Sequence, residues 1–541
     1  MAFTSTRPPR ARHHLALTLL ALAGLLVAAC GGTSSRATSG PTTTLVTATD
    51  ISAIVTLDPN QSYENLSYDH DMYSTLVTFN KGDTTRVVPS VAKSWSTSPD
   101  GMSWTFHLRR GITFAGGDQL TASDFLYSIQ RVVNLPKNPA AWLVTQMGIT
   151  SSNVTQQVTA PDPSTVQIKL TQPVAPGAFL DIMAFPTTAV VDSKVVKEHE
   201  SNGDWGHAWL DDHSAGSGPF MLGSWARGSQ IVLSANPRYD LGPRPPLTRA
   251  VFQNVADSSA QYDLLQKGHT DVANGLTFQQ MKQLSGNSKY RILRRPDLSL
   301  EYVGLDVKNV PAFSNPLVWQ AVKYALDYKG VTQQLLSGNA ILNQGIVPKG
   351  MPGYDPDLPF AQDVAKARSL LQQAGYGSGF SADMLIPTGD ISGIPASDLA
   401  SKIKSDLARV GITVNIRQLQ ASQLYTTYRA QQAQMVLANW SADYPDPDDF
   451  AKPFGDYSQK SLAWRLNWDD PSLAQLVDKA GTLPSGPERD GLYRQINQNE
   501  MMRGPFAILY QPLQSYATTS HLRSVYINPI FGIDLLNVTK G

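Results

Sequence analysis

The chain has one cysteine, Cys30, in 541 residues, so no internal disulfide can hold its fold and no cysteine cluster can bind zinc. Charge is sparse and balanced, with 44 basic against 44 acidic residues, and no basic block stands out beyond the first few residues. The electrostatic footprint that nucleic-acid binding needs is therefore missing. Apolar runs are short: Leu15 to Val27 falls below the roughly 20 residues of a spanning helix, and nothing after it comes close. There is no Gly-x-x-x-x-Gly-Lys-Ser/Thr loop to cradle phosphates, so the chain is not expected to use ATP itself. There is no Gly-x-Ser-x-Gly elbow either, and the glycines flanking Ser217 sit in a turn-and-hairpin context. His199-Glu200 lacks a second histidine one helical turn on, which leaves the histidines as expected surface residues and no metal site. Asp446, Asp448 and Asp449 lack the tight-turn glycine and the closing glutamate of a calcium loop. Paired carboxylates for glycoside hydrolysis stay open, because acids distant in sequence can meet in a cleft. A cleft hydrolase is the remaining enzymatic alternative; the other constellations point away from an enzyme.

What is present begins at the amino end. Arg7, Arg10 and Arg12 precede the apolar run, and Val27-Ala28-Ala29 place small residues before Cys30, the three parts of an export signal. Small residues followed by cysteine resemble the lipobox of bacterial lipoproteins, whose thiol is acylated after the preceding peptide is removed. Residues 1–29 are accordingly expected to be a lipoprotein signal peptide, and 30–44, rich in Gly, Ser and Thr, a flexible tether. A spanning helix and an ordinary secretory signal are the alternatives. An unpaired thiol at the processing point favours acylation, hence a cell-membrane, extracytoplasmic location. Apolar residues at 42% and charged at 16%, evenly spread, suit a compact globule. The length far exceeds the roughly 250–300 residues at which single cores stop growing, so at least two lobes are expected.

Along the chain, Leu45 to Val55 reads as a strand, Leu57-Asp58-Pro59 as a turn and Tyr68 to Val77 as a helix. Trp104, Phe106 and Leu108 alternate with polar residues after Pro99-Asp100-Gly101, which predicts a hairpin. Thr121-Ala122-Ser123-Asp124 has capping-box spacing ahead of Phe125, Ile129, Val132 and Val133, which predicts a helix. A second hairpin is expected around Gly228, between Phe220–Trp225 and Ile231–Leu233. Beyond residue 310 helices dominate: Pro316 to Leu326, Val364 to Ala374 and Leu399 to Val410, the last two stopped by Gly375 and Gly411. Strand Ile412–Leu419, helix Ser422–Gln432 and strand Gln434–Trp440 form a parallel β-α-β unit. A lobe boundary is placed near Leu298, with a return crossing near Gln511.

In open α/β sheets the ligand crevice lies at the carboxyl ends of strands. Strand 434–440 ends in Ser441-Ala442-Asp443-Tyr444-Pro445-Asp446-Pro447-Asp448-Asp449-Phe450, the best candidate site. Trp440 and Tyr444 offer an aromatic platform, Asp443 a carboxylate between them, and the prolines a stiff backbone. A rigid acidic surface loop is the competing reading.

Val88-Pro89-Ser90-Val91-Ala92-Lys93-Ser94-Trp95, Ser98-Pro99-Asp100-Gly101 and Trp104 through Phe114 resemble the signature of family 5 extracellular solute-binding proteins of ABC-type importers. The likeness continues through Thr121 to Ser128, Gly218-Pro219-Phe220, Asn236-Pro237-Arg238-Tyr239, Gln320 to Asp327 and Gly345-Ile346-Val347-Pro348, nearly the whole mature chain. The resemblance implies an α/β, two-lobed periplasmic-binding-protein-like fold (type II, cluster C) with an extra subdomain in the first lobe. The lobes would be 45–298 with 511–541, carrying a subdomain at about 87–205, and 299–510. It also implies a monomer that needs no cofactor, binds a short peptide, and serves importer permease and ATPase subunits. Trp440 through Asp448 looks like the loop whose aspartate pairs with a ligand's α-ammonium, a role Asp443 inherits by position, with Trp440, Ser441 and Tyr444 beside it. Two departures are Gly116-Gly117-Asp118 in place of an Asp-Gly pair and Asp449 where Asn is common. The family also includes binders of oligosaccharides, nickel and other solutes; with a sugar, Trp440 and Tyr444 would stack on the ring.

Overall fold

A computed structural model describes residues 43–61 and 66–541. The expected signal peptide, Cys30 and nearly all of the expected tether lie outside the described residues. Among the described residues no helix is long and apolar enough to cross a membrane.

The largest sheet has twelve strands and is organised by one of them, the 14-residue strand Phe506–Thr519. Its first part pairs antiparallel with Ser299–Leu305, and its last part with Val272–Ala273 and Tyr290–Pro296. On the first side the order continues through Met435–Ser441 and Phe380–Pro387 to Ile412–Leu419. On the other it continues from Val272–Ala273 through Thr44–Thr49, Arg249–Asn254 and Gln230–Ala235 to Phe220–Ala226. Each half has its own core. One gathers Leu300, Tyr302, Phe454 and Phe506 with the helices of residues 316–503; the other gathers Leu45, Leu233, Phe252 and Leu535. A third core, around Trp104, Phe106, Phe125 and Phe179, belongs to a four-stranded antiparallel sheet (92–97, 103–108, 158–162, 165–169) and its helices. This is the two-lobed type II arrangement with a further subdomain.

The hairpins at Asp100 and Gly228 form, and Gly228 takes φ 71°, a left-handed turn conformation that suits glycine. Helix Ala122–Asn134 starts where its capping signal predicts, with the Asp124 carboxylate accepting the Thr121 N–H at 2.8 Å. Several expectations need correction. The first strand stops at Thr49, because the Ile51 N–H turns to the Asn254 side chain (3.0 Å) instead of the ladder. The first helix spans Leu66–Met72, after which β-branched Thr75, Val77 and Thr78 favour extended chain and Val77–Asn80 is a strand. Strands 412–419 and 435–441 are parallel as expected, yet not neighbours, since Phe380–Pro387 lies between them and pairs with both. The histidines are not all surface groups: half-buried His207 bonds Asp58 at 3.0 Å.

Asp58 follows the first strand and is fully buried against Arg131 of the subdomain helix, at 2.9 and 2.6 Å. Burial pushes the Asp58 carboxyl up, but Arg131 and His207 overcome this and hold it at about 2. The pair ties the subdomain to the lobe beneath it. Arg131→Met, which strips the buried carboxylate of its partner, is expected to cost about 3–5 kcal/mol in urea unfolding. Because Asp58 titrates lower when folded, its contribution is present above the unfolded value of about 3.9 and is lost as pH falls through about 2.

Candidate functional site

Strand direction shows where the carboxyl ends of the strands converge. In the first lobe, Thr44–Thr49, Arg249–Asn254 and Val272–Ala273 are mutually parallel and run opposite to Phe506–Thr519. Their carboxyl ends therefore point back along that strand, toward residues 511–513. In the second lobe, Ser299–Leu305 runs opposite to the same strand and Met435–Ser441 runs opposite to it in turn, so Ser441 and the ends at Pro387 and Leu419 also point there. Both lobes thus present carboxyl ends to one zone, where ligands sit in open α/β sheets. Chain crossings at Asp297–Leu298 and Gln511–Pro512 flank it. The buried Gln511 amide ties them, donating to the Asp297 carbonyl at 2.7 Å and the Lys349 carbonyl at 3.0 Å.

On the second-lobe side the loop after Ser441 is held from several directions. Trp440 Nε1 donates to the Asp449 carbonyl at 2.8 Å, the Ala442 N–H to the Leu298 carbonyl at 2.7 Å, and the Asp443 N–H to Asp449 Oδ2 at 2.6 Å. Below it Asp446 forms a bidentate pair with Arg489, both contacts 2.7 Å and both side chains buried, and Asp448 takes Lys452 at 2.7 Å and the Tyr493 hydroxyl at 3.2 Å. The carboxylates of the acidic run are thus spent on holding the loop.

Asp443 differs from these. Its side chain is half-buried and makes no ion pair or hydrogen bond among the described residues. Burial pushes its carboxyl up to about 7, and Asp449 beside it is raised by burial and then by the Asp443 charge. The two acids share a desolvated corner, and neither has a cation partner among the described residues.

The other candidates fall out differently. Ser441 is exposed at the strand end, opposite Ser299. Trp440 is partly buried, with its indole N–H spent on the loop. Tyr444 is 1% exposed, part of the subdomain core with its ring 6.3 Å from that of Trp142, so it joins the lobe to the subdomain and offers no open face for a sugar ring. Sequence reasoning missed Arg489 and Tyr493, which lie some 45 residues away on helix Pro487–Arg503 with no local motif. It also missed a cavity of about 210 Å³ lined by Thr47, Thr49, Asp50, Tyr68, Asn274 and Tyr516 at the carboxyl ends of the first lobe's parallel strands. Strand ends on both sides of a crossing point are the signal that could have found it.

With this geometry in place, the family model of bacterial extracellular solute-binding proteins, family 5, matches residues 86–461. The chain belongs to that family, the solute-binding proteins of ABC importers. It is 28% identical over 482 residues to the probable D,D-dipeptide-binding periplasmic protein DdpA of Escherichia coli K12, covering 88% of this chain and 90% of that one. It is 26% identical over 545 residues to heme-binding protein A of Haemophilus influenzae, covering 95% and 97%. The fold matches the periplasmic binding protein DppA of Helicobacter pylori, solved with the peptide STSA, at a TM-score of 0.76 and 24% identity over 92% of this chain and 98% of that one. The relatives are binding proteins with differing cargo, so membership of the family sets the role and leaves the ligand to the site.

Arg489→Met would leave Asp446 buried without its partner. It is expected to cost about 3–5 kcal/mol by denaturant unfolding, whereas replacing Lys479, an exposed residue paired loosely with Glu488 at 3.8 Å, should cost well under about 1 kcal/mol.

Proposed function

We propose that this protein is the lipid-anchored, extracytoplasmic binding component of an ABC-type importer, closing its two lobes over a short peptide and delivering it to the membrane permease and its ATPase. Asp443 is the group that holds the α-ammonium. The observation that carries this reading is a desolvated carboxylate just past a strand end that has no cation to pair with among the described residues. A ligand ammonium would supply that partner. The lobes are 45–298 with 511–541 and 299–510, and the hinge is the pair of crossings that Gln511 ties together. Adjacent crossings of this kind suit rotation of one lobe against the other. Main-chain hydrogen bonds to an extended peptide, with water-filled space around its side chains, give selectivity for the class and tolerance within it. Acylation of Cys30, a monomeric state and the permease partnership rest on the sequence and on the family's role. A sugar ligand is less favoured, since Tyr444 is buried.

Asp443→Asn, or N-acetylation of the peptide, should weaken binding by about 2–5 kcal/mol, roughly 30-fold to a few thousand-fold, in calorimetry with a di- and tripeptide panel. Unchanged affinity for both would remove the amine anchor.

The pH dependence has a defined sign. The free carboxyl titrates at about 7, and only its ionised form pairs with an ammonium, so affinity should fall below pH 7 by up to about tenfold per unit. A peptide amine loses its proton above about 8, which closes the window from the other side. An affinity maximum between these values is expected in titrations at fixed ionic strength; a flat profile from pH 5 to 8 would count against Asp443.

A further inference from the structure

A third acid near the crossings is not used by the reading above. In strand Ser299–Leu305, Ser299 and Glu301 share one face while Leu300 and Tyr302 point into the core. Register sets Ser299 opposite Ser441 and Glu301 opposite Asn439 on the neighbouring strand. Asn439 and Ser441 are exposed, although both strands are internal to the sheet, whereas Ser299 and Glu301 opposite them are buried. Exposed polar residues on internal strands, at the end where the strands of both lobes converge, suit a wall of the proposed cleft.

Glu301 is 5% exposed here, and its Oε2 is buried with no hydrogen-bond partner among the described residues. Around it stand Tyr425, whose hydroxyl donates to Asn439 Oδ1 at 3.0 Å, Tyr510, opposite in register with its hydroxyl 3.3 Å from Ser392, and Asp297. None of these is a cation. Burial and then the Asp297 charge push Glu301 up to about 8, and burial pushes Asp297 itself up to about 6. A buried carboxyl left unpaired is costly, and a cation brought by the ligand would relieve it. Glu301 lies two residues, about 7 Å, in from the strand end that leads to Asp443, within the span of a short extended peptide.

We infer that Glu301 is a second cation acceptor in the cleft, selecting short peptides that carry a lysine or arginine side chain in addition to the amino end held at Asp443. The inference rests on the peptide reading. An arginine could engage the carboxylate with two parallel N–H donors, a lysine with one ammonium.

Calorimetry with Ala-Lys and Ala-norleucine, which differ in the side-chain ammonium, tests it on the wild type, on Glu301→Gln and on Asp443→Asn. The wild type should bind Ala-Lys at least about tenfold more tightly, and Glu301→Gln should bring that ratio to within about threefold of unity, while Asp443→Asn weakens both peptides. Equal wild-type affinity for the two peptides, or a ratio untouched by Glu301→Gln, overturns the assignment. The wild-type comparison needs no variant, so a folding defect in Glu301→Gln cannot shelter it. If the wild type binds neither these nor any other short peptide, the peptide reading fails and takes this inference with it. If both peptides bind and only Asp443→Asn is silent, the amine anchor fails and Glu301 is still judged by the ratio.

Discussion

A single strand, Phe506–Thr519, sets the geometry on which the rest depends. Because one strand runs through both lobes, antiparallel pairing on each side forces the remaining strands into fixed directions. The parallel strands of both lobes must then end at the same place. The convergence of strand ends, on which the proposed binding site rests, follows from backbone hydrogen bonding before any side chain is considered. The same strand also brings the two crossings side by side, and the buried Gln511 amide bonds across them.

Desolvation sorts the acidic residues around this frame. Where a buried carboxylate has a cation, as in Asp58 with Arg131, Asp446 with Arg489 and Asp448 with Lys452, the pair joins one element to another. Where it has none, it is held toward its protonated form, as with Asp297, Glu301, Asp443 and Asp449. Unpaired buried acids occur elsewhere too: both Asp69 carboxylate oxygens lack a hydrogen-bond partner among the described residues. Burial alone therefore does not mark a binding surface. What distinguishes Asp443 and Glu301 is position, at strand ends beside the exposed Asn439 and Ser441.

Local patterns were legible in the sequence and long-range pairing was not. The hairpin at Asp100, the capped helix Ala122–Asn134 and strand Ile412–Leu419 are written in neighbouring residues, through turn chemistry, capping and alternation. The insertion of Phe380–Pro387 between strands 412–419 and 435–441 depends on contacts that no local window contains. The same division runs through the candidate site. The strand-end loop with Asp443 could be read directly, because it follows one recognisable strand. Its support from Arg489 and Tyr493, and the fate of the Tyr444 ring against Trp142, required the tertiary structure. Aromatic residues next to a candidate acid read equally well as ligand platform or as packing, and burial decided for packing at Tyr444.

The way the loop is anchored bears on selectivity. Asp443 receives its position from bonds to its backbone and neighbours, none of which uses its own carboxylate. Pre-organisation of this kind spares a ligand the entropy of ordering the loop, so binding energy can appear as affinity. The burial that raises the carboxyl acts on the empty protein as well, and a neutral ligand end would leave that penalty in place or deepen it. A cationic end removes it. Under the proposed function, discrimination would then come less from new contacts with the right ligand than from an unpaired charge imposed on the wrong one.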